Sequence, residues 1–63
     1  MEQREPMVGQ TWTLDQRTDV VITDLVVEMT SQKIHRLEFR RSNGVIESFT
    51  LPEFLSRAVY REG

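Results

Sequence analysis

Polar and apolar positions alternate from the first clear element of the chain. In GQTWTLD, residues 9–15, Trp12 and Leu14 share one parity and Thr11 and Thr13 the other. Period two is the pattern of a strand with one buried face. QRTD supplies a turn, and VVITDLVVEMT, residues 20–30, is rich in β-branched residues and predicts a second, longer strand. Its inward parity changes part-way: Val20 and Ile22 are even, whereas Leu25, Val27 and Met29 are odd. A slip of one residue turns every later side chain to the other face, so a bulge or sharp bend is expected at Thr23–Asp24. Small barrels turn their corners with such bends.

After the polar turn TSQ, the stretch KIHRLEFRRSNG puts Leu37 and Phe39 on one face with Lys33, His35 and Arg41. Ile34, Arg36, Glu38 and Arg40 take the other face. SNG then closes a hairpin, and two loop lengths compete. A two-residue Asn43–Gly44 turn sets Arg40 opposite Glu47. A three-residue loop with Gly44 left-handed sets Leu37 opposite Phe49. The favourable Arg40–Glu47 pair points to the shorter loop.

The last pattern changes period. TLPE reads as a capping box, with Thr50 as N-cap and Glu53 three residues on. Phe49 and Phe54 have the spacing of a hydrophobic staple. Leu51, Phe54, Leu55, Ala58 and Val59 follow the i, i+3, i+4, i+7, i+8 rule of one apolar helix face. Arg57 and Arg61 suit the C-terminal end of a helix dipole, so a helix is predicted over about 51–61. The fold expected is mainly β: a four-stranded antiparallel, strongly curled sheet of the SH3-like small-barrel kind, with one C-terminal helix. A flat four-stranded sheet with a packed helix is the alternative. Residues 1–8 read as a flexible tail and residues 9–63 as a single domain.

Composition narrows the chemistry. A chain of 63 residues buries only about 60% of its unfolded surface. There is no Cys and one His, His35, so a closed zinc site of the usual Cys/His kind is excluded. MEQREPM is charged and lacks the apolar core of a signal peptide, and no apolar run approaches a membrane span. A cytoplasmic protein is expected. No Ser sits in a nucleophile elbow, and no Gly-rich loop precedes a helix. Asp15, Asp19, Asp24 and Glu28 match no calcium-loop spacing. His35, on a strand beside Leu37, reads as a packing or edge residue rather than a general base. The chain is therefore read as a non-enzyme with no cofactor and no metal.

Charge is split along the sequence. Residues 1–30 hold six acids and two bases, residues 31–63 four acids and six bases, and the net charge is −2. Two surfaces of opposite sign follow if the halves separate in space. Four of the eight basic residues lie in residues 33–41, where they serve as a solvated face, a partner-binding edge or a phosphate contact. A sequence pI of about 5.2 argues against general affinity for phosphate. Trp12 has two readings, a ring that stacks on a ligand or a core residue, and its alternation with Leu14 favours the core. Tyr60 either edges the core or presents its ring to a partner.

GQTW, VVIT, LEF, SNG and LPEFL together resemble a group of small uncharacterised proteins encoded by bacteriophages and prophages of enteric bacteria, over about residues 9–55. That resemblance implies an accessory role such as binding and redirecting a host protein, and it transfers no functional residues. The leading expectation is a non-enzymatic protein-binding module. Its partner-binding residues are read as Arg36, Arg40 and Arg41, with Arg57, Tyr60 and Arg61 from the predicted helix, because the Arg fork suits carboxylates. The alternative is a nucleic-acid-binding small barrel that uses the Arg and Lys of residues 33–41 and the helix on phosphates. In a third reading, Asp15, Asp19, Asp24 and Glu28 imitate phosphates. A homodimer through an unpaired strand edge is also open.

Overall fold

The computed structural model describes residues 5–61. Five strands and one helix follow in the order β1 (Thr11–Leu14), β2 (Thr18–Val27), β3 (Ile34–Arg41), β4 (Ile46–Thr50), α1 (Leu51–Arg57) and β5 (Ala58–Tyr60). The strands make one antiparallel sheet in the order β4-β3-β2-β1-β5, which does not close on itself. Of the expected tail, residues 1–4 lie outside the described residues, while Pro6 is fully buried and Met7 N–H donates to Gln10 Oε1 at 2.8 Å.

The expected bend in β2 is present. Ile22 opposes Phe39 and Asp24 opposes Glu38, which leaves Thr23 as the extra residue of a bulge. Val20 and Ile22 before it, and the half-buried Leu25 after it, all face the core. The inward parity stops there. Val27 and Met29, inward by sequence parity, are 47% and 94% exposed, because the hairpin runs on past the core. A second register shift between Val26 and Val27 makes His35 the extra residue on β3.

At the β3–β4 hairpin the longer loop is found instead of the two-residue turn. Arg40 opposes Ile46, Phe39 opposes Glu47 and Leu37 opposes Phe49. Arg41 N–H donates to Val45 O at 2.8 Å, and Gly44 takes φ +90°. Glu47 still finds an arginine, but it is Arg41, its diagonal neighbour on the same face.

The C-terminal region departs most from expectation. The helix ends at Arg57, and Ala58–Tyr60 form a fifth strand on β1, with Leu14 opposite Ala58 and Trp12 opposite Tyr60. Ala58 takes φ −118° and ψ 147°, so the backbone turns extended one residue after the helix. Two ladder bonds hold it there: Asp15 N–H to Arg57 O at 2.8 Å and Arg61 N–H to Thr11 O at 3.1 Å. Val59, read as part of the apolar helix face, is 65% exposed. The capping box does not form either, since the Thr50 side chain makes no cap hydrogen bond. Burial of Phe54 holds the helix instead, with Pro52 preset for the first turn.

The core of buried apolar side chains is Trp12, Leu14, Val20, Ile22, Leu37, Phe39, Phe54 and Ala58. Trp12 therefore takes its core reading. Its ring meets Phe54 edge-on at 5.1 Å and Tyr60 at 5.5 Å, and its Nε1–H donates to Gln10 Oε1 at 3.1 Å. Phe49 and Phe54 both lie against Phe39, at 5.0 and 5.8 Å. Such aromatic pairs each contribute about 0.5–1.5 kcal/mol beyond their area. The sheet thus has an inner face carrying the core and α1, and an outer face carrying the opposite parity.

Candidate partner-binding surface

Strand parity divides the six expected binding residues between the two faces. Arg36 and Arg40 are exposed on the outer face of β3. Arg36 stands between Val26 and Thr50, and Arg40 between Val21 and Ile46. Arg61, just after β5, falls on the same outer side by alternation with Val59. Arg41 belongs to the inner face beside Phe39. Arg57 lies over the Phe49 ring at 4.8 Å. Tyr60 faces inward against Trp12 and is half-buried. The six therefore form no single positive surface.

Three of the arginines are engaged with carboxylates. Arg41 Nε donates to Glu47 Oε1. Arg57 forks onto Asp15, Nε to Oδ1 at 3.0 Å and Nη2 to Oδ2 at 2.6 Å, with Glu53 at 3.7 Å. Arg61 Nη1 donates to Asp19 Oδ2 at 2.6 Å, and Asp19 Oδ1 accepts from the Thr13 hydroxyl at 3.0 Å. The Arg57 hydrogen bonds hold the Asp15 carboxyl below its ordinary value, and Asp15 in turn raises the Arg57 guanidinium. The Thr13 hydroxyl, then Arg61, does the same to Asp19.

Two acids of the first half are therefore paired with two bases of the second. Both long-range pairs span 42 residues, and both tie the β1–β2 hairpin to the chain around β5. Asp15 and Asp19 are thereby removed from the acidic surface considered above. Asp24 remains on the outer face, directly opposite Glu38, where its Oδ1 accepts from Leu25 N–H at 2.8 Å. Among the described residues no group of three or more His, Cys, Asp or Glu side chains could hold a metal ion. None of the described helices is long and apolar enough to cross a membrane.

Arg36 and Arg40 are different. Among the described residues neither makes an ion pair. Around them the outer face carries half-buried Val21 and exposed Val26 and Ile46, with the Asp24–Glu38 pair between the two arginines. A shallow recess of about 430 Å³ opens beside Arg40, lined by Asp19, Val21, Arg41, Ser42 and Gly44 as well. This apolar neighbourhood was missed in the sequence, because the register that puts Ile46 beside Arg40 depends on the length of the hairpin loop.

Comparison with protein-family models, with curated proteins and with solved structures finds no significant match for this chain.

Proposed function

We propose that the protein is a small non-enzymatic binding module whose outer face, across β2, β3 and β4, docks an acidic segment of a partner protein. One observation carries this reading: among the described residues Arg36 and Arg40 stay exposed and without an ion pair, while Arg41, Arg57 and Arg61 are each held by a carboxylate. Two exposed guanidinium forks beside exposed Ile46 and Val26 offer charge-assisted hydrogen bonds and apolar contact together. We read the bent sheet, with α1 set between β4 and β5, as SH3-like. A role as a phage or prophage accessory factor acting in the cytoplasm on a host protein is part of the same proposal.

The alternative partner is a nucleic acid, with the same two arginines on phosphates. The outer face carries no aromatic ring for base stacking, since Trp12, Phe39, Phe49, Phe54 and Tyr60 all belong to the inner side. That favours a protein partner. The test is an amide NMR titration with a glutamate-rich peptide and, separately, with a random-sequence duplex. Shifts confined to residues 34–41 and 46–50 with the peptide, absent in the Arg36→Glu, Arg40→Glu double variant, are expected. Shifts with the duplex alone, vanishing as salt rises, transfer the site to nucleic acid. Silence with both removes Arg36 and Arg40 from the binding role.

A further inference from the structure

We propose that β4 is a self-association edge: two copies of the chain join their β4 strands antiparallel about a two-fold axis through Ser48. The strand order leaves β4 and β5 as the sheet's edges. They are not equivalent. β5 has three residues, and its Ala58 N–H is already given to Phe54 O. β4 has five residues and contains no Lys, Pro or bulge, three of the devices that blunt an edge. Its one charge, Glu47, is held by Arg41 on the inner face. The Arg41–Val45 hydrogen bond fixes the alternation of the ladder, so odd residues of β4 bond to β3. Ile46, Ser48 and Thr50 then turn their backbone groups outward.

Register decides the occupant. Pairing Ser48 with the partner's Ser48 sets Ile46 opposite the partner's Thr50 and Glu47 opposite the partner's Phe49. It also sets Val45 opposite the partner's Leu51. Outward-facing backbone groups meet one another, no like charges are opposed, and the exposed Val45 and Ile46, at 48% and 59%, gain neighbours. The two adjacent registers are worse. One sets Glu47 directly against the partner's Glu47, a like-charge pair. The other brings Pro52, which has no N–H, opposite Ile46. The favoured register fuses two five-stranded sheets into one of ten strands. Arg40 and the partner's Arg36 then lie in one row across the seam, but the seam does not depend on what those arginines bind.

Sedimentation velocity tests this. The seam is short, so the complex belongs to the weak class, and concentrations up to about 1 mM are needed. The unmodified chain is expected to rise from monomer mass towards twice that mass. A monomer throughout overturns the proposal. Ser48→Pro removes an outward donor and leaves the β3 ladder intact, so it should sediment as a monomer at every concentration. Ile46→Lys, at an exposed side chain, should do the same and decides the matter if the proline variant does not fold. Either variant dimerising like the parent, while folded, overturns the seam. The chain has no cysteine, so a single introduced thiol reports position. Ser48→Cys places two thiols on directly opposed residues, about 5.5 Å apart at Cα, within disulfide reach. On oxidation it should form dimers much faster than Val59→Cys on β5. Equal rates contradict the seam.

Discussion

Phe54 is the side chain on which the C-terminal third of the fold depends. It is the one fully buried residue of α1, and its ring meets Trp12 at 5.1 Å and Phe39 at 5.8 Å. Replacing it by Ala removes the burial of the ring, worth roughly 1.5–3 kcal/mol. It also removes two aromatic pairs of about 0.5–1.5 kcal/mol each and leaves a cavity. The measured range for such truncations is about 3–5 kcal/mol. A domain of 63 residues holds only roughly 3–9 kcal/mol in all, at about 0.05–0.15 kcal/mol per residue. Phe54→Ala is therefore expected to leave much of the chain unfolded in plain buffer. Urea titration followed by Trp12 emission reads this directly, because Trp12 is buried and touches the same ring. Phe54→Leu, which retains part of the volume, should fall between the two. If Phe54→Ala unfolds at a midpoint within about 1 kcal/mol of the parent, α1 does not hold the core as described.

The other predictions concern the cap, the hairpin and the ion pairs. Thr50→Ala should change stability by less than about 0.5 kcal/mol in urea titration, because the Thr50 side chain makes no cap bond; the loss of about 1 kcal/mol typical of a working N-cap would contradict the structure. Gly44→Ala has open space for its new methyl group but must hold φ +90°, so a loss of about 1–2 kcal/mol from backbone strain alone is expected by the same titration. Asp15 and Asp19 titrate below the ordinary carboxyl value when folded, so the unfolded chain binds more protons in acid. Their contribution is full above about pH 4, the unfolded value, and is lost as pH falls through the lowered folded values. Urea midpoints of the Asp15→Asn, Asp19→Asn double variant should accordingly show a shallower acid decline than the parent, and equal slopes would contradict the pairing.

The legible parts of this fold are those set by local pattern. Alternation in residues 11–14 gave β1 and the core position of Trp12, and the parity change gave the bulge at Thr23. The missed parts are set by contacts distant in sequence. Ala58, Val59 and Tyr60 satisfy a helical period and a strand period equally well over so short a run. The choice is made by β1, which offers Thr11 O to Arg61 N–H and takes Arg57 O for Asp15 N–H. Thr50 and Glu53 spell a capping box, yet Thr50 is also the last residue of β4, opposite Arg36.

The same long-range contacts reverse the reading of charge. An acidic first half and a basic second half suggest two opposed surfaces only if the halves stay apart. Here β5 returns to β1, and Asp15 and Asp19 meet Arg57 and Arg61. Equal spacing makes this possible: the acids are four residues apart, the bases are four residues apart, and each pair spans 42 residues. Sequence asymmetry is thus the trace of a clasp between β5 and the β1–β2 hairpin rather than of a dipolar surface. What survives neutralisation is the better guide to binding. Arg36 and Arg40 survive because outward parity on β3 carries them to the face opposite the clasp at Asp15 and the Arg41–Glu47 pair, where the facing row of β2 and β4 offers Val26, Thr50, Val21 and Ile46 and no carboxylate directly opposite.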